Sequence, residues 1–209
     1  MTGRELRTLL DRAFEILAGS EEELRDLDAA VGDGDLGITV SRGAHAARHA
    51  MVSLPDAATP SEVLRALAST ISSASPSSFG ALVAAALLAA SRSIAGSQTL
   101  SKDDVVTIAQ QAAAAVEKRG KSALGDKTVL DALIPSVRAL EGSTSDNSLA
   151  AMIDAARKGI DETTPSVSRR GRAAWLGERA QGHPDPGAVA YLRFLEALQL
   201  SVSRTSPLR

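Results

Sequence analysis

Apolar residues recur three and four positions apart along almost the whole chain, and that period admits helices and little else. Leu6, Leu9, Leu10, Ala13, Phe14 and Leu17 set the pattern, a stripe that one face of an α-helix buries. Helices are predicted at about 3–18, 21–31, 38–53, 61–74, 79–95, 102–119, 128–141 and 146–162, with a ninth at about 186–203. Only Gly19-Ser20 interrupts the first two, which a single kinked helix would also accommodate. Start signals agree with this frame. Ser61 follows Pro60, Ser101 precedes Asp103 and Asp104, and Asp185 stands directly before Pro186 as an N-cap before a proline at the first helical position. Alternating β-branched runs and two-residue hairpin turns do not occur, so a sheet is not expected. The segment 79–95 is rich in Ala and Leu almost all round and is predicted to be buried on most sides. The fold class that follows is all-α, a closed barrel or bundle of about eight antiparallel amphipathic helices.

The chain of 209 residues is 44% hydrophobic and 23% charged, enough for one sizeable core, and residues 1–209 read as a single domain with 203–209 as a flexible tail. With 23 basic against 25 acidic side chains there is no field for nucleic acid or a membrane surface. One Trp, one Tyr and three Phe are too few for a base-stacking surface, so a nucleic-acid partner is excluded. The absence of cysteine removes disulfides, thiolate nucleophiles and zinc fingers, and leaves oxygen or three histidines to hold any metal. The N-terminus carries charges throughout and no apolar signal core, and the apolar stretch 81–90 is about half of what spans a bilayer. A cytoplasmic protein with no membrane partner is the expectation.

Three segments break the helical rhythm, 28–37, 72–78 and 163–184, and function is expected where they converge. The first, Asp28-Ala-Ala-Val-Gly-Asp33-Gly-Asp35-Leu-Gly37, gathers three carboxylates within eight residues. Like charges this close are stabilised by a cation among them, and all-oxygen ligation favours Mg²⁺, Mn²⁺ or Ca²⁺. EF-hand spacing fails for want of a glutamate at the twelfth position, so Mg²⁺ bridging to phosphate oxygens is preferred; a solvated acidic turn is the competing reading. The same stretch matches GxGxxG literally, but a charged helical pattern precedes it and no βαβ unit follows, so it is not a dinucleotide fingerprint.

The third segment brings Arg169, Arg170, Arg172 and Arg179 together ahead of a helix N-terminus, a setting that favours an anion such as phosphate as well as it fits a solvated basic loop. His183 lies inside it. Gly125-Asp126-Lys127-Thr128 reads as a turn and a helix start; no Walker A motif and no nucleophile elbow occur. His45 and His49, four apart on a helix without a third ligand, read as surface residues.

Taken together these motifs resemble the L subunit of dihydroxyacetone kinases, the nucleotide-binding domain of the single-chain members of that family. The resemblance rests on Leu27-Asp28-Ala-Ala-Val-Gly-Asp33-Gly-Asp35 with Gly37, on Gly125-Asp-Lys-Thr-Val-Leu-Asp131-Ala-Leu, on Gly171-Arg172-Ala through Leu176-Gly177-Glu178-Arg179, and on Gly182-His183 with Asp185-Pro186-Gly187-Ala188. It implies a helical barrel with an adenine nucleotide, ADP or ATP, at one end, and Asp28, Asp33 and Asp35 holding two Mg²⁺ ions. By the same resemblance Leu36, Gly37, Ile38, Thr39, Ala74, Ser75, Gly120, Val129, Arg172, Asp185, Pro186 and Gly187 line the nucleotide, with Arg172 steadying the phosphates. It further implies phosphoryl transfer to a short-chain ketose held on a separate K-type subunit, with a multiphosphoryl-transfer subunit of a phosphotransferase system as a second partner. A homodimer is compatible with the sequence, which leaves oligomeric state open.

Two departures from the family pattern stand out. The usual Gly-Gly-x-Ser-Gly loop reads Ser72-Ser73-Ala74-Ser75-Pro76 here, and Leu36 occupies a position that holds histidine in the phosphotransferase-linked subunits and a small or polar residue in ATP-dependent relatives. They support an alternative, a non-catalytic ADP-binding regulatory or interaction module. A plain helical scaffold, the third reading, implies no Mg-dependent nucleotide binding.

Overall fold

The computed structural model describes residues 1–143 and 147–203. Nine α-helices account for most of them: α1 (Gly3–Ala18), α2 (Glu21–Val31), α3 (Leu36–Val52), α4 (Pro60–Ala74), α5 (Ser78–Ser93), α6 (Lys102–Gly120), α7 (Leu130–Gly142), α8 (Ser148–Thr163) and α9 (Pro186–Ser203). A 3₁₀ segment, Arg172–Ala180, lies between α8 and α9. Residue 146, the expected start of the eighth helix, and the tail 204–209 lie outside the described residues. Among the described residues no strand forms; one antiparallel bridge pairs Thr2 with Thr99. No described helix is long and apolar enough to cross a membrane.

Side-chain caps set the helix starts. Thr2 with Glu5, Thr59 with Glu62 and Ser101 with Asp104 form reciprocal capping boxes. The fourth helix therefore begins one residue earlier than the pattern suggested: Thr59 is its cap and Pro60 takes the first helical position, where a missing N–H costs nothing. α1 and α2 are separate helices, broken at Gly19-Ser20. α3 starts at Leu36 and α7 at Leu130, two residues to either side of the expected 38 and 128. The segment 163–184 is not irregular throughout, because Arg172–Ala180 winds into 3₁₀ turns kinked at Gly177.

The packing order closes on itself. α3 packs on α4, α4 on α5, α5 on α6, α6 on α7, α7 on α8, α8 on α9, α9 on α1, and α1 on α3, while α2 packs against α3, α9 and the 3₁₀ segment. Leu10, Phe14, Val40, Ala44, Val63, Leu67, Leu192 and Leu195 belong to the main core, with the Phe14 and Phe194 rings 6.0 Å apart. Val116, Leu130, Leu133 and Val137 form a second cluster between α6 and α7. The expectation that 79–95 is buried on most sides is met in part, since no residue from Phe79 to Ser91 is exposed and the helix packs against both clusters, yet few are fully buried. Within α5 only Gly80, Ala90 and Ser91 are buried. The helix is flanked by α4 and α6, and its first turn faces an open cleft through Phe79, Ala81 and Leu82, so no further layer covers it.

Two contacts fix the end of the barrel where the irregular segments meet. A Cβ on Gly37 would sit 2.0 Å from the Glu21 carbonyl oxygen and 2.8 Å from the Arg25 nitrogen, so α2 crosses α3 at a point where only glycine fits. At the start of α9 the Asp185 carboxylate accepts the Ala188 N–H at 2.7 Å, a cap that matches the sequence signal. Burial pushes that carboxyl up to about 7, against the pull of the Ala188 hydrogen bond and of Lys127.

Gly37→Ala is expected to lower stability by about 1–3 kcal/mol, the usual cost of overpacking, whereas Gly142→Ala, in helical backbone where a Cβ meets nothing within 4 Å, should hold or slightly raise the melting temperature in circular dichroism. Asp185 yields a pH prediction. A carboxyl whose folded value lies above its free value of 3.8 takes up a proton on folding. Its cost to the fold is therefore absent below that free value and grows until the pH passes about 7. Asp185→Asn should flatten the decline in melting temperature across that window, and an unchanged decline would assign it to other groups.

Candidate functional site

The acidic segment is built by a helix end, a glycine turn and a helix start. Asp28 sits on the last turn of α2; Gly34 follows at φ +76°, a conformation that L side chains rarely adopt, and Asp35 immediately precedes α3. Asp35 occupies the N-cap position of α3 but makes no capping hydrogen bond. Asp28 takes that duty from eight residues upstream, its Oδ2 accepting the Leu36 N–H at 3.1 Å. Asp35 is thereby left to turn toward Asp28 and Asp33, and one oxygen from each of the three carboxylates lies within 4.8 Å of the others. Burial raises the Asp28 carboxyl above its usual range, the Leu36 N–H opposes this, and the charges of Asp33 and Asp35 raise it further. Among the described residues this is the one grouping of side chains able to hold a metal ion, and no histidine joins it.

Arg172 meets the cluster from the far side of the chain. Its guanidinium pairs with Asp33 and, at 3.4 Å, with Asp35. Gly171, at φ +72°, precedes the 3₁₀ turns that carry it. Arg170 pairs with Asp126 at 3.7 Å, and the Arg169 N–H donates to the Asp126 carbonyl at 3.0 Å. His183 is exposed and away from the cluster's cleft, and His45 and His49 are exposed on α3 as the sequence suggested.

The Gly125–Asp131 turn is organised from within. Buried Asp131 accepts the Gly125 N–H at 2.5 Å and the Thr128 N–H at 2.7 Å. Lys127, in left-handed backbone at φ 60°, points inward and is 1% exposed. Burial lowers its ammonium from its ordinary range, and the charge of Asp185 partly restores it.

These elements enclose a cleft of about 480 Å³. Of the residues assigned to a site from sequence, Asp28, Asp35, Leu36, Gly120, Val129, Arg172, Asp185, Pro186 and Gly187 line it, and Asp33 joins through the carboxylate cluster. Gly37, Ile38, Thr39, Ala74 and Ser75 do not line it. Gly37 packs against α2, and Ile38 is 49% exposed. Ser75 is buried with its hydroxyl donating to the Thr39 carbonyl at 2.9 Å, which pins the end of α4 to α3. Ser77, Ser78 and Phe79 take the corresponding wall, with Ser77 capping α5 through the Gly80 N–H at 3.0 Å. Thr128, Arg170 and Gly171, members of motifs marked in the sequence though not assigned to the nucleotide, also line it, and Arg119 and Ser122 are further lining residues that the sequence did not single out. The Ser77 cap before an apolar run was a readable signal; the place of Arg119 at the rim of the cleft was not.

Residues 30–200 match the DAK2 domain. The chain is 32% identical over 193 residues to the ADP-binding subunit DhaL of PEP-dependent dihydroxyacetone kinase 2 from Listeria innocua, covering 88% of this chain and 85% of that protein. It is 29% identical over 197 residues to the ADP-binding subunit DhaL of the PEP-dependent dihydroxyacetone kinase of Escherichia coli, covering 92% and 93%. Its fold is similar to the crystal structure of the dihydroxyacetone kinase from C. freundii in complex with AMP-PNP and Mg²⁺, with a TM-score of 0.73 and 25% identity over 94% of this chain. The chain spans 33% of that longer kinase. A domain match across most of the chain and relatives aligned over nearly their full length agree with the all-helical ring and its motifs: the chain belongs to the DAK2 domain family and is of the DhaL type.

Proposed function

We propose that the chain is the nucleotide-binding subunit of a dihydroxyacetone-type kinase, holding ADP or ATP with Mg²⁺ in the cleft and serving phosphoryl transfer to a short-chain ketose on a separate K-type subunit. The observation that carries this reading is the set of three carboxylate oxygens within 4.8 Å, facing one arginine at the wall of a cleft of about 480 Å³. The names of the relatives, ADP-binding subunits of kinases, and the AMP-PNP and Mg²⁺ of the C. freundii kinase support it.

The donor set suits magnesium. It is all oxygen, it is partly exposed, and it carries more negative charge than Arg172 offsets, which leaves room for divalent cations among Asp28, Asp33 and Asp35. Two Mg²⁺ ions are proposed. Asp28, Asp33 and Asp35 would hold the cations, which would supply positive charge to offset that developing on a transferred phosphoryl group.

The chain's own groups bind and orient. Arg172 presents planar N–H donors to phosphate oxygens in place of its present carboxylate partners. Ser77 and Ser78 at the start of α5 offer hydroxyls to the same end of the cleft, in the place of the family's glycine amides. Phe79, Leu82, Val129 and Pro186 supply the apolar wall for the base. Asp185 stands close to this wall, and its raised value keeps it neutral at mildly acidic pH, which limits repulsion of an anionic ligand. No side chain of the cleft is a covalent acceptor in this scheme; the work is positioning and charge neutralisation.

Titration calorimetry of ADP and ATP, with and without Mg²⁺, tests the reading. Mg-dependent binding is expected, and Asp33→Asn or Asp35→Asn should weaken it by about tenfold or more while leaving the helical circular dichroism unchanged; equal affinity in either variant would remove the metal assignment. Mass analysis of nucleotide retained through purification separates the donors. Retained ADP supports a resident cofactor recharged by a phosphotransferase-system subunit, and its absence supports ATP exchanged at each turnover. Mg-dependent ADP binding without transfer in the presence of a K-type subunit and a phosphoryl donor would favour a regulatory module.

A further inference from the structure

The loop between α8 and α9 is closed at its stem, where the Gly182 N–H donates to the Thr164 carbonyl at 3.0 Å. Behind that closure lies Lys127, the largest fully buried side chain among the described residues. Its ammonium donates to the carbonyls of Thr164, Ser166 and Ala180, each at 2.8 Å. An ammonium has three N–H donors, and all three are used. No carboxylate pairs with it at contact distance among the described residues.

The three acceptors belong to both stems of the loop, Thr164 and Ser166 on the way out of α8 and Ala180 on the way back. The preceding residue adds to the grip: the Asp126 carbonyl accepts the Arg169 N–H, and its carboxylate meets Arg170. At the far side of the loop Arg172 reaches Asp33 and Asp35. An aliphatic side chain could fill the same space without burying a charge, but it could not bind three carbonyls from the two stems. What the charge secures is therefore the shape of the loop.

We propose that Lys127 is a positioning residue for phosphoryl transfer, stapling the two stems of the 164–182 loop so that Arg172 is presented to the nucleotide cleft already placed. The inference rests on the nucleotide reading of that cleft. A preshaped loop spares the ligand the entropy of ordering it, so loss of the staple is expected as weaker binding and slower transfer together.

The test uses the full chain with Lys127→Met. Trypsin is applied first without nucleotide, and cleavage at Arg169, Arg170, Arg172 and Arg179 is followed by mass analysis. Trp175, the chain's one tryptophan and 90% exposed on this loop, reports its mobility by fluorescence anisotropy. Cleavage about tenfold faster than in the unaltered chain is expected, with cooperative melting retained and MgADP affinity reduced by about tenfold. In an Arg172→Met background the same Lys127 change should cost affinity less than about threefold, because both act through one loop. Lys127→Ala leaves a pocket lined by three carbonyls, so ethylammonium should restore slow cleavage in a saturable way and tetramethylammonium, which has no N–H, should not. Unchanged cleavage, full additivity with Arg172→Met, or no amine rescue overturns the proposal. A variant that loses its whole helical fold overturns it as well, by making Lys127 a residue of the general core. An unaltered chain that binds no MgADP ends the nucleotide reading, while the nucleotide-free cleavage comparison still judges the staple.

Discussion

Mutual repulsion among Asp28, Asp33 and Asp35 is the constraint to which this end of the molecule answers. Three carboxylates with oxygens within 4.8 Å of one another raise the free energy of any chain that lacks a cation to set against them. Each surrounding feature either brings them together or offsets the result. Asp28 is drawn in by the Leu36 N–H, Gly34 supplies the reversal between Asp33 and Asp35, and the bare face of Gly37 lets α2 lie close enough to α3 for both to contribute. Arg172 supplies one positive charge from 137 residues away in sequence. One guanidinium against three carboxylates leaves the cluster underbalanced, and that deficit gives a divalent cation its purchase in the proposed site.

The helices were legible because their determinants are local. Period, capping boxes at Thr2, Thr59 and Ser101, and the Asp185-Pro186 start are all contained within a turn or two of chain, so the pattern and the structure agree to within two residues at most boundaries. The acidic cluster was legible for the same reason, since eight residues hold all three of its members. What escaped is what depends on contacts between distant segments. Gly37 belongs to a motif yet serves helix packing, because its fate depends on where the Glu21 carbonyl lies. Ser75, the one residue of the second segment that keeps the family's identity, is buried against Thr39, and the cleft wall falls to Ser77 and Ser78 two and three residues later. The role of Lys127 was illegible although its turn, Gly125-Asp126-Lys127-Thr128, stood out: nothing nearby in sequence announces three carbonyls from residues 164, 166 and 180.

The two departures from the family pattern take on a physical sense in this setting. Leu36 gives its N–H to Asp28 and buries its side chain in the main core while forming part of the cleft wall, so the polar contact there comes from the backbone. A serine-rich loop in place of glycines exchanges close backbone approach for hydroxyl donors. Ser75 is unavailable for that exchange because its hydroxyl is committed to Thr39; Ser77 already caps α5, and Ser78 is exposed at the cleft. The burden of meeting an anion from this wall therefore rests on Ser78, on Ser77, whose oxygen accepts the Gly80 N–H while its own proton stays free to donate, and on the N-terminal turn of α5, with Arg172 opposite.

Lys127 and Arg172 divide between them two tasks that one cation could not perform. Arg172 has to be exposed and able to exchange its carboxylate partners for a ligand, so its present pairs with Asp33 and Asp35 lie in solvent, where such pairs are weak and easily replaced. A loop held only by those pairs would lose its shape at the moment of exchange. Lys127 is buried and uncharged neighbours take all of its donors, so its hold on the stems is insensitive to what happens at the cleft. Burial that would be costly for an isolated ammonium is offset by three short hydrogen bonds, which use each of the three N–H donors that a compact ammonium on a flexible stem carries. The loop can then be rigid at its base and yielding at its tip, which is the mechanical condition for an arginine that must leave one anion for another without leaving the site.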